Sequence, residues 1–378
     1  MSERESKMKR KVAVAMSGGV DSSVCAALLK EKGYEVIGVT MQIWSGDKEK
    51  GRLDRHYTIN IMDAAKRIAD ELGIPHYMLN LRDVFEKYVT ANFCDEYRKG
   101  ETPNPCIRCN KYIKFGALLK MANQLGADYL ATGHYAKIEY NEETGEYLLK
   151  KGADLDKDQS YFLYTMSQSQ LKNILMPLGD YTKDEVRAMA RDFNLPILDR
   201  EESQEICFIP TGGYPEFLKR CMPEAFKPGP ILNTRGEILG EHKGVLFYTI
   251  GQRRGLGISS KTPLYVVAID GEKNAVIVGT EDELYSDELK ASEVNYITTE
   301  GLKEPARLRV RIRYRHKEAE AMVYPTTKNE VRIKFAQPQR AITPGQAAVF
   351  YDGDIVVGGG VIRRSTQKSP RRHLAISK

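Results

Sequence analysis

A chain of 378 residues is too long for one ordinary hydrophobic core, so two or three domains are expected. Its 42% hydrophobic content and mean hydropathy of −0.45 fit a globular protein in water, and no apolar stretch approaches the ~20 residues of a membrane span. The net charge of +6 is modest, but the basic excess gathers in residues 287–378, as in a nucleic-acid-facing module joined to an enzyme. The opening MSERESKMKRK has charge with no apolar run behind it, which argues against a secretory signal and for the cytoplasm. Six cysteines in a chain of this length do not make a disulfide scaffold, and the six histidines show no HExxH spacing for a catalytic zinc.

The first half alternates strand and helix. Residues 12–16 read as a buried strand, 21–32 as a helix ended by Gly33, and 34–41 as a second strand. Helical spacing over 61–72 stops at Gly73, and helices at 84–97 and 113–125 precede a strand at 129–132. This rhythm predicts an α/β fold with a doubly wound parallel sheet, whose ligands sit beyond the carboxyl ends of the strands. Residues 17–22, Met41 and Gly133 all fall at such ends. Residues 140–147 read as a hairpin tip, and helical patterning returns at 167–175 and 183–193.

Past Cys207 the pattern changes. Lys227-Pro228-Gly229-Pro230 reads as a linker, followed by short strands at 245–250, 264–269, 275–279, 307–315, 319–324, 331–335, 347–351 and 355–362. The expected division is a catalytic domain over 1–214, a small central domain over 215–286, a β-barrel over 287–364 and a basic tail over 365–378.

Three groups of residues carry chemistry. The first is the string Ala15-Met16-Ser17-Gly18-Gly19-Val20-Asp21-Ser22-Ser23, running from strand into helix. Glycines without a Cβ, serines suited to an N-cap and a helix dipole together make a phosphate cradle. No lysine stands in the loop, so it is not a Walker A motif, and Asp21 calls for Mg²⁺ between itself and a phosphate. An ordinary strand–helix turn would need no more than two glycines and a cap.

The second group is Cys106 and Cys109, placed ahead of a helix expected to begin near Lys111 and close to Arg108. Helix end and cations should lower their pKa values. Half of a structural zinc site, or an incidental pair, are the other readings. Cys207 lies between apolar residues and by itself reads as an inert buried thiol; Cys25 and Cys94 read as core, and Cys221 has no evident role.

The third is the alternation Arg307, Arg309, Arg311, Arg313, Arg315, which on a strand lines one face with guanidinium groups suited to phosphate. A solvated face paired with Glu318 and Glu320 is the plainer reading. Arg253 and Arg254 sit in a glycine-rich loop.

Several blocks add a resemblance. The loop SGGVDSS resembles that of the PP-loop ATP pyrophosphatases. TPNPCIRCN at 102–110, ATGHYA at 131–136, KDQSYFL at 157–163, SQEICFI at 203–209 and YTIGQRRGLG at 248–257 are similar to those of the tRNA-specific 2-thiouridylases. The resemblance implies ATP held by Ala15 to Ser22, Met41 and Gly133, and adenylation of the 2-carbonyl oxygen of the wobble uridine, with Asp21 catalytic. It implies a persulfide on Cys207, resolved by Cys109 through a Cys109–Cys207 disulfide. It also implies target-base contacts from Asn104, Pro105 and residue 106, and tRNA contacts from His134, Lys157, Asp158, Gln159, Tyr314, Arg315 and Gln346. The better-known family pattern has Asp where this chain has Cys106. That third thiol opens another reading, in which Cys106, Cys109 and Cys207 ligate three irons of a 4Fe–4S cluster and leave one iron for sulfide. The partners implied are tRNA and a sulfur donor, either a persulfide carrier or sulfide. Rival readings are another PP-loop synthetase, such as argininosuccinate synthase, and a non-catalytic iron–sulfur RNA-binding protein.

Overall fold

In the computed structural model, the described residues are 9–43, 53–196, 206–209, 213–222 and 226–364. In chain order, β1 (Lys11–Ala15), β2 (Glu35–Gln42), β3 (His76–Asn80) and β4 (Tyr129–Ala131) precede a hairpin of β5 (Ala136–Asn141) and β6 (Glu146–Lys151), and then β7 (Ile174–Leu175). The first sheet is fully parallel, in the order β3-β2-β1-β4-β7. Strand β1 is apolar at every central position because both faces are covered. Val12 and Val14 pack with the helices Val20–Glu31 and Lys183–Asp192, while Ala13 points to the opposite core. Strand order reverses beside β1, so the crevice for a ligand opens at its carboxyl end.

The helix carrying the CxxC begins earlier than the sequence suggested. Asn104 is the N-cap, its side chain accepting from the Ile107 N–H at 3.4 Å, and Pro105 occupies the first helical position. The helix runs through Pro105–Arg108, a π-helical stretch Cys109–Leu118, and Leu119–Gln124. Cys106 and Cys109 therefore lie inside it, not ahead of it.

The central unit is a four-stranded sheet of β8 (Gly229–Asn233), β9 (Ile238–His242), β10 (Tyr265–Asp270) and β11 (Ala275–Gly279), in the order β10-β11-β8-β9. Two expectations need correction here. The supposed linker at 227–230 leads into β8, with its prolines at the strand's start, where a missing N–H is tolerated. Residues 245–250 form no strand; Val245–Phe247 is a 3₁₀ turn.

Six strands close the C-terminal barrel: β12 (Tyr285–Tyr296), β13 (Ala306–Arg311), β14 (Ala319–Thr327), β15 (Glu330–Arg340), β16 (Ala347–Asp352) and β17 (Ile355–Arg363). Their order is β12-β15-β14-β13-β16-β17, closed by pairing of β12 with β17. The β5–β6 hairpin is joined to this sheet through Ile355↔Lys150, a junction the sequence did not suggest. The tail at 365–378 lies outside the described residues. Among the described residues no helix is long and apolar enough to cross a membrane.

The arginine strand is shorter than its alternation implied. β13 stops at Arg311, and Arg313 and Arg315 lie in the turn beyond it. Arg307, Arg309 and Arg315 are exposed. Arg311 instead turns inward, 3.0 Å from Asp158 and 2.7 Å from Glu318, with its guanidinium over the Tyr351 ring. Lys151 of β6 reaches the same Glu318 at 2.8 Å and the same ring. Opposite charges removed from water together stabilise only as a set, and losing one leaves the others uncompensated. Arg311→Ala should lower unfolding stability by about 3–5 kcal/mol, read by denaturant titration. A change below about 1 kcal/mol, the range of an exposed pair, would place this knot on the surface.

Candidate active site

Strand β1 delivers the chain to Met16, whose N–H still bonds Val39 O at 2.9 Å and whose carbonyl accepts from Thr40 Oγ1 at 2.8 Å. Gly18 then takes φ +73, a left-handed conformation that favours glycine. The N-cap is Gly19, not a serine. Ser22 and Ser23 sit in the first turn and fold their hydroxyls back onto Gly19 O at 3.1 and 2.8 Å, and Ser22 Oγ also accepts the Ser17 N–H at 3.1 Å. These bonds fix the loop's shape while no side chain caps the helix. Its first N–H groups stay directed at the crevice, as an anion requires.

Asp21 is the hub of the far wall. Its Oδ1 accepts from Lys183 Nζ at 2.7 Å and from Tyr135 Oη at 2.7 Å. Gly133, at the end of β4, lies so close that a Cβ there would stand 2.8 Å from the Asp21 carbonyl carbon. Met41 lies half-buried at the end of β2. Gly133 thus stands directly against Asp21 of the loop, while Met41 lies at the end of the strand beside β1.

Lys183 was not foreseen. It opens a helix whose Thr182 and Glu185 make a capping box, and its own backbone N–H bonds Asp154 Oδ2 at 3.0 Å. A buried lysine in a first helical turn opposes the helix dipole, and the Asp21 carboxylate offsets that cost.

His134 follows Gly133 and turns away from solvent. Its Nδ1 lies 2.7 Å from Thr132 Oγ1 and its Nε2 3.2 Å from Lys114 Nζ. Burial and the Lys114 charge hold its pKa well below the usual imidazole value, so the ring is neutral. An ammonium only donates, hence Nε2 accepts and Nδ1–H donates to Thr132. Lys114, also unforeseen, stands five residues beyond Cys109 on the π-helical stretch. Its charge acts on Cys106, Cys109 and Cys207 alike.

The thiols correct the sequence reading. Cys106, Cys109 and Cys207 are all free, the first and third reached by solvent and the second half-buried. All three stand in a recess crowded by protein atoms. Burial raises Cys106, takes Cys109 up to about 11 and Cys207 up to about 12, with the neighbouring thiols adding to the last. Lys114 pulls the other way and loses. The expected lowering fails because the sulfurs are desolvated and do not lie ahead of the helix end. Among the described residues, no three Cys, His, Asp or Glu side chains are arranged to hold a single metal ion.

The residues expected at the RNA divide into two kinds. Asp158 has no exposed side-chain surface and serves Gly152 N–H, Ser160 and Arg311. Gln159 Oε1 accepts the Tyr135 N–H at 3.0 Å. Gln346 Nε2 donates to Thr102 O at 2.8 Å, pinning the barrel to the segment before Asn104 and buried Pro105. Tyr314 lies half-buried against Phe162 at 4.4 Å. Lys157 is half-buried and Arg315 exposed.

Since the folded-state pKa values of Cys109 and Cys207 are raised, both thiols are protonated at neutral pH. Their alkylation by iodoacetamide, followed by peptide mass spectrometry, should keep accelerating above about pH 9.5, where an ordinary thiol has levelled off. A plateau at or below that pH would show that burial does not govern them.

Comparison with known proteins accords with this geometry. The tRNA methyl transferase HUP domain matches residues 10–211, the tRNA methyl transferase PRC-barrel domain 215–280, and the aminomethyltransferase beta-barrel domain 286–362. The tRNA-specific 2-thiouridylase MnmA of Halothermothrix orenii is 55% identical over 357 residues, covering 94% of this chain and 99% of the relative. That of Acetivibrio thermocellus is 52% identical over 357 residues, with the same coverage. The tRNA-specific 2-thiouridylase MnmA 1 of Caldanaerobacter subterraneus subsp. tengcongensis is 53% identical over 362 residues, covering 95% of this chain and 100% of its own. Identity of this order, sustained from the phosphate loop through the barrel, means that the chain belongs to the tRNA-specific 2-thiouridylase family.

Proposed function

We propose that this protein is a tRNA sulfurtransferase that converts the wobble uridine of tRNA to 2-thiouridine at the expense of ATP, with AMP and pyrophosphate as products. The observation that carries this reading is an anion cradle at the end of β1 together with three free thiols that feel one lysine charge. Gly133, His134 and Lys114 join the two. A PP-loop synthetase would use the cradle alone, and an RNA-binding protein neither.

ATP supplies the adenylyl group that turns the uracil 2-oxygen into a leaving group. The Gly18–Gly19 turn and the open helix end receive the phosphates, and buried Lys183 offers the cation for the departing pyrophosphate. Asp21 is the carboxylate placed to hold Mg²⁺ there. On the sulfur side, Cys207 takes its outer sulfur from the persulfide of a carrier, whose thiol departs as the Cys207 persulfide forms. That sulfur forms the new bond to carbon 2 as AMP departs. The Cys109 thiol then attacks Cys207 Sγ, releasing the thiocarbonyl and leaving a Cys109–Cys207 disulfide for a thiol reductant.

Mass spectrometry of wobble nucleosides, with tRNA-dependent AMP release as the partial reaction, tests the proposal. Lys183→Met and Asp21→Ala should each reduce AMP release ~10²-fold or more while tRNA affinity stays within about twofold. Wild-type rates in both variants would remove the cradle from the reaction.

Cys106→Asp discriminates the two sulfur chemistries. Under the persulfide route it restores the Asp of the better-known family pattern and sulfur transfer continues in iron-free protein. Loss of visible absorbance, iron and turnover together would establish the cluster instead.

A further inference from the structure

Two cysteines outside the site lie against each other. Cys94 is buried on the helix Ala91–Arg98, and Cys221 is exposed at the end of the helix Gly213–Cys221. Their thiols are close enough to interact, and Cys221 together with burial pushes the Cys94 thiol well above its usual range. The contact is supported from within, because Phe93, the residue before Cys94, meets Phe217, one turn before Cys221, at 6.0 Å between ring centroids. Leu218 and Met222 are fully buried in the same core cluster as Phe93 and Cys94.

We infer that Cys94 and Cys221 form a redox-active thiol pair, in which Cys221 takes up a low-molecular-weight disulfide and Cys94 resolves it. The division of labour follows from exposure. The solvent-reached thiol is attacked first, and its buried neighbour, already beside it, completes the exchange. Cys221 thiolate attacks one sulfur of a disulfide of the glutathione class; that bond breaks, a mixed disulfide forms and one thiolate leaves. Cys94 sulfur then attacks Cys221 Sγ, expels the second thiolate and closes the Cys94–Cys221 bond. Two protons leave the protein and two electrons pass to the oxidant.

The position gives the bond a consequence. Phe208, the neighbour of Cys207, is held edge-on by Phe85, Phe93 and Phe217 at 5.5, 5.3 and 5.3 Å. Two of those rings stand on the two helices that the disulfide would join. A sulfur–sulfur bond of about 2.0 Å draws the helices together around Phe208 and clamps the chain next to Cys207. The effect on sulfur transfer rests on the proposed function; the disulfide itself does not.

The experiment therefore reads the bond directly. Full-length protein is treated with oxidised glutathione, free thiols are blocked, and tryptic peptides are analysed without reduction. The expected product links peptide 88–98, which contains Cys94, to peptide 221–235, which begins at Cys221, and dithiothreitol removes it. In Cys94→Ser, glutathione should stay on Cys221. Amide exchange over 213–221 should slow about tenfold on oxidation of the wild type and remain unchanged in Cys221→Ser. A wild-type protein in which Cys221 carries glutathione while Cys94 stays alkylatable, or in which neither thiol reacts, overturns the inference. Either result stands whether or not the protein thiolates tRNA.

Discussion

Everything at the crevice depends on how the segment 152–160 is held between two bodies. At one end, the Asp158 carboxylate is buried against Arg311 of the barrel, which is itself fixed by Glu318 and Tyr351. At the other, Gln159 and Tyr135 exchange two hydrogen bonds, Gln159 N–H to Tyr135 O at 2.9 Å and Tyr135 N–H to Gln159 Oε1. Tyr135 then reaches Asp21, and Asp154 of the same segment anchors the Lys183 backbone. A barrel strand and the phosphate loop are thus two ends of one hydrogen-bonded span. A buried ion pair is costly to desolvate, and Arg311 is held by two carboxylates although its Nε finds no partner among the described residues. The span so anchored links Asp21 and Lys183 to the barrel.

That linkage explains why a patch of arginines can be read too generously from sequence. Alternation correctly placed Arg307, Arg309 and Arg311 on one face of β13, because strand periodicity is a local property of the backbone, while Arg313 and Arg315 fall in the turn beyond it. What the alternation cannot contain is the neighbour on that face. Arg311 meets a carboxylate 153 residues earlier in the chain and becomes structural, while Arg309 and Arg315 remain at the surface. The same limit applies to Asp158, Gln159 and Gln346, whose polar groups are used inside the protein. Strands β1 and β2 were legible because burial on both faces leaves an unbroken apolar run. The prolines near 227–230 were misleading because a strand's first residues tolerate them. Lys183 was invisible for a related reason. Its capping box is plain in the sequence, but only the fold puts its ammonium beside Asp21.

The thiols show a competition between two real effects. A helix N-terminus and nearby cations favour thiolate, and removal from water favours thiol. Sequence exposes the first effect and hides the second, since the rings that pack on Phe208 beside Cys207, such as Phe85 and Phe93, lie more than a hundred positions away. Here burial wins at all three sulfurs despite Lys114. A reservoir of protonated thiols is inert toward stray electrophiles, which suits a site that must hold sulfur until an activated base arrives.

The proton on Cys109 then has few places to go. His134 is the nearest base by type, but its Nε2 lone pair already accepts from Lys114, and its Nδ1–H is committed to Thr132. With its pKa held low by burial, the ring is a poor proton acceptor in this arrangement. Lys114 has no lone pair while charged, so it stabilises a thiolate once formed but cannot take the proton that forms it. The electrostatics of the recess therefore keep sulfur neutral until another charge enters.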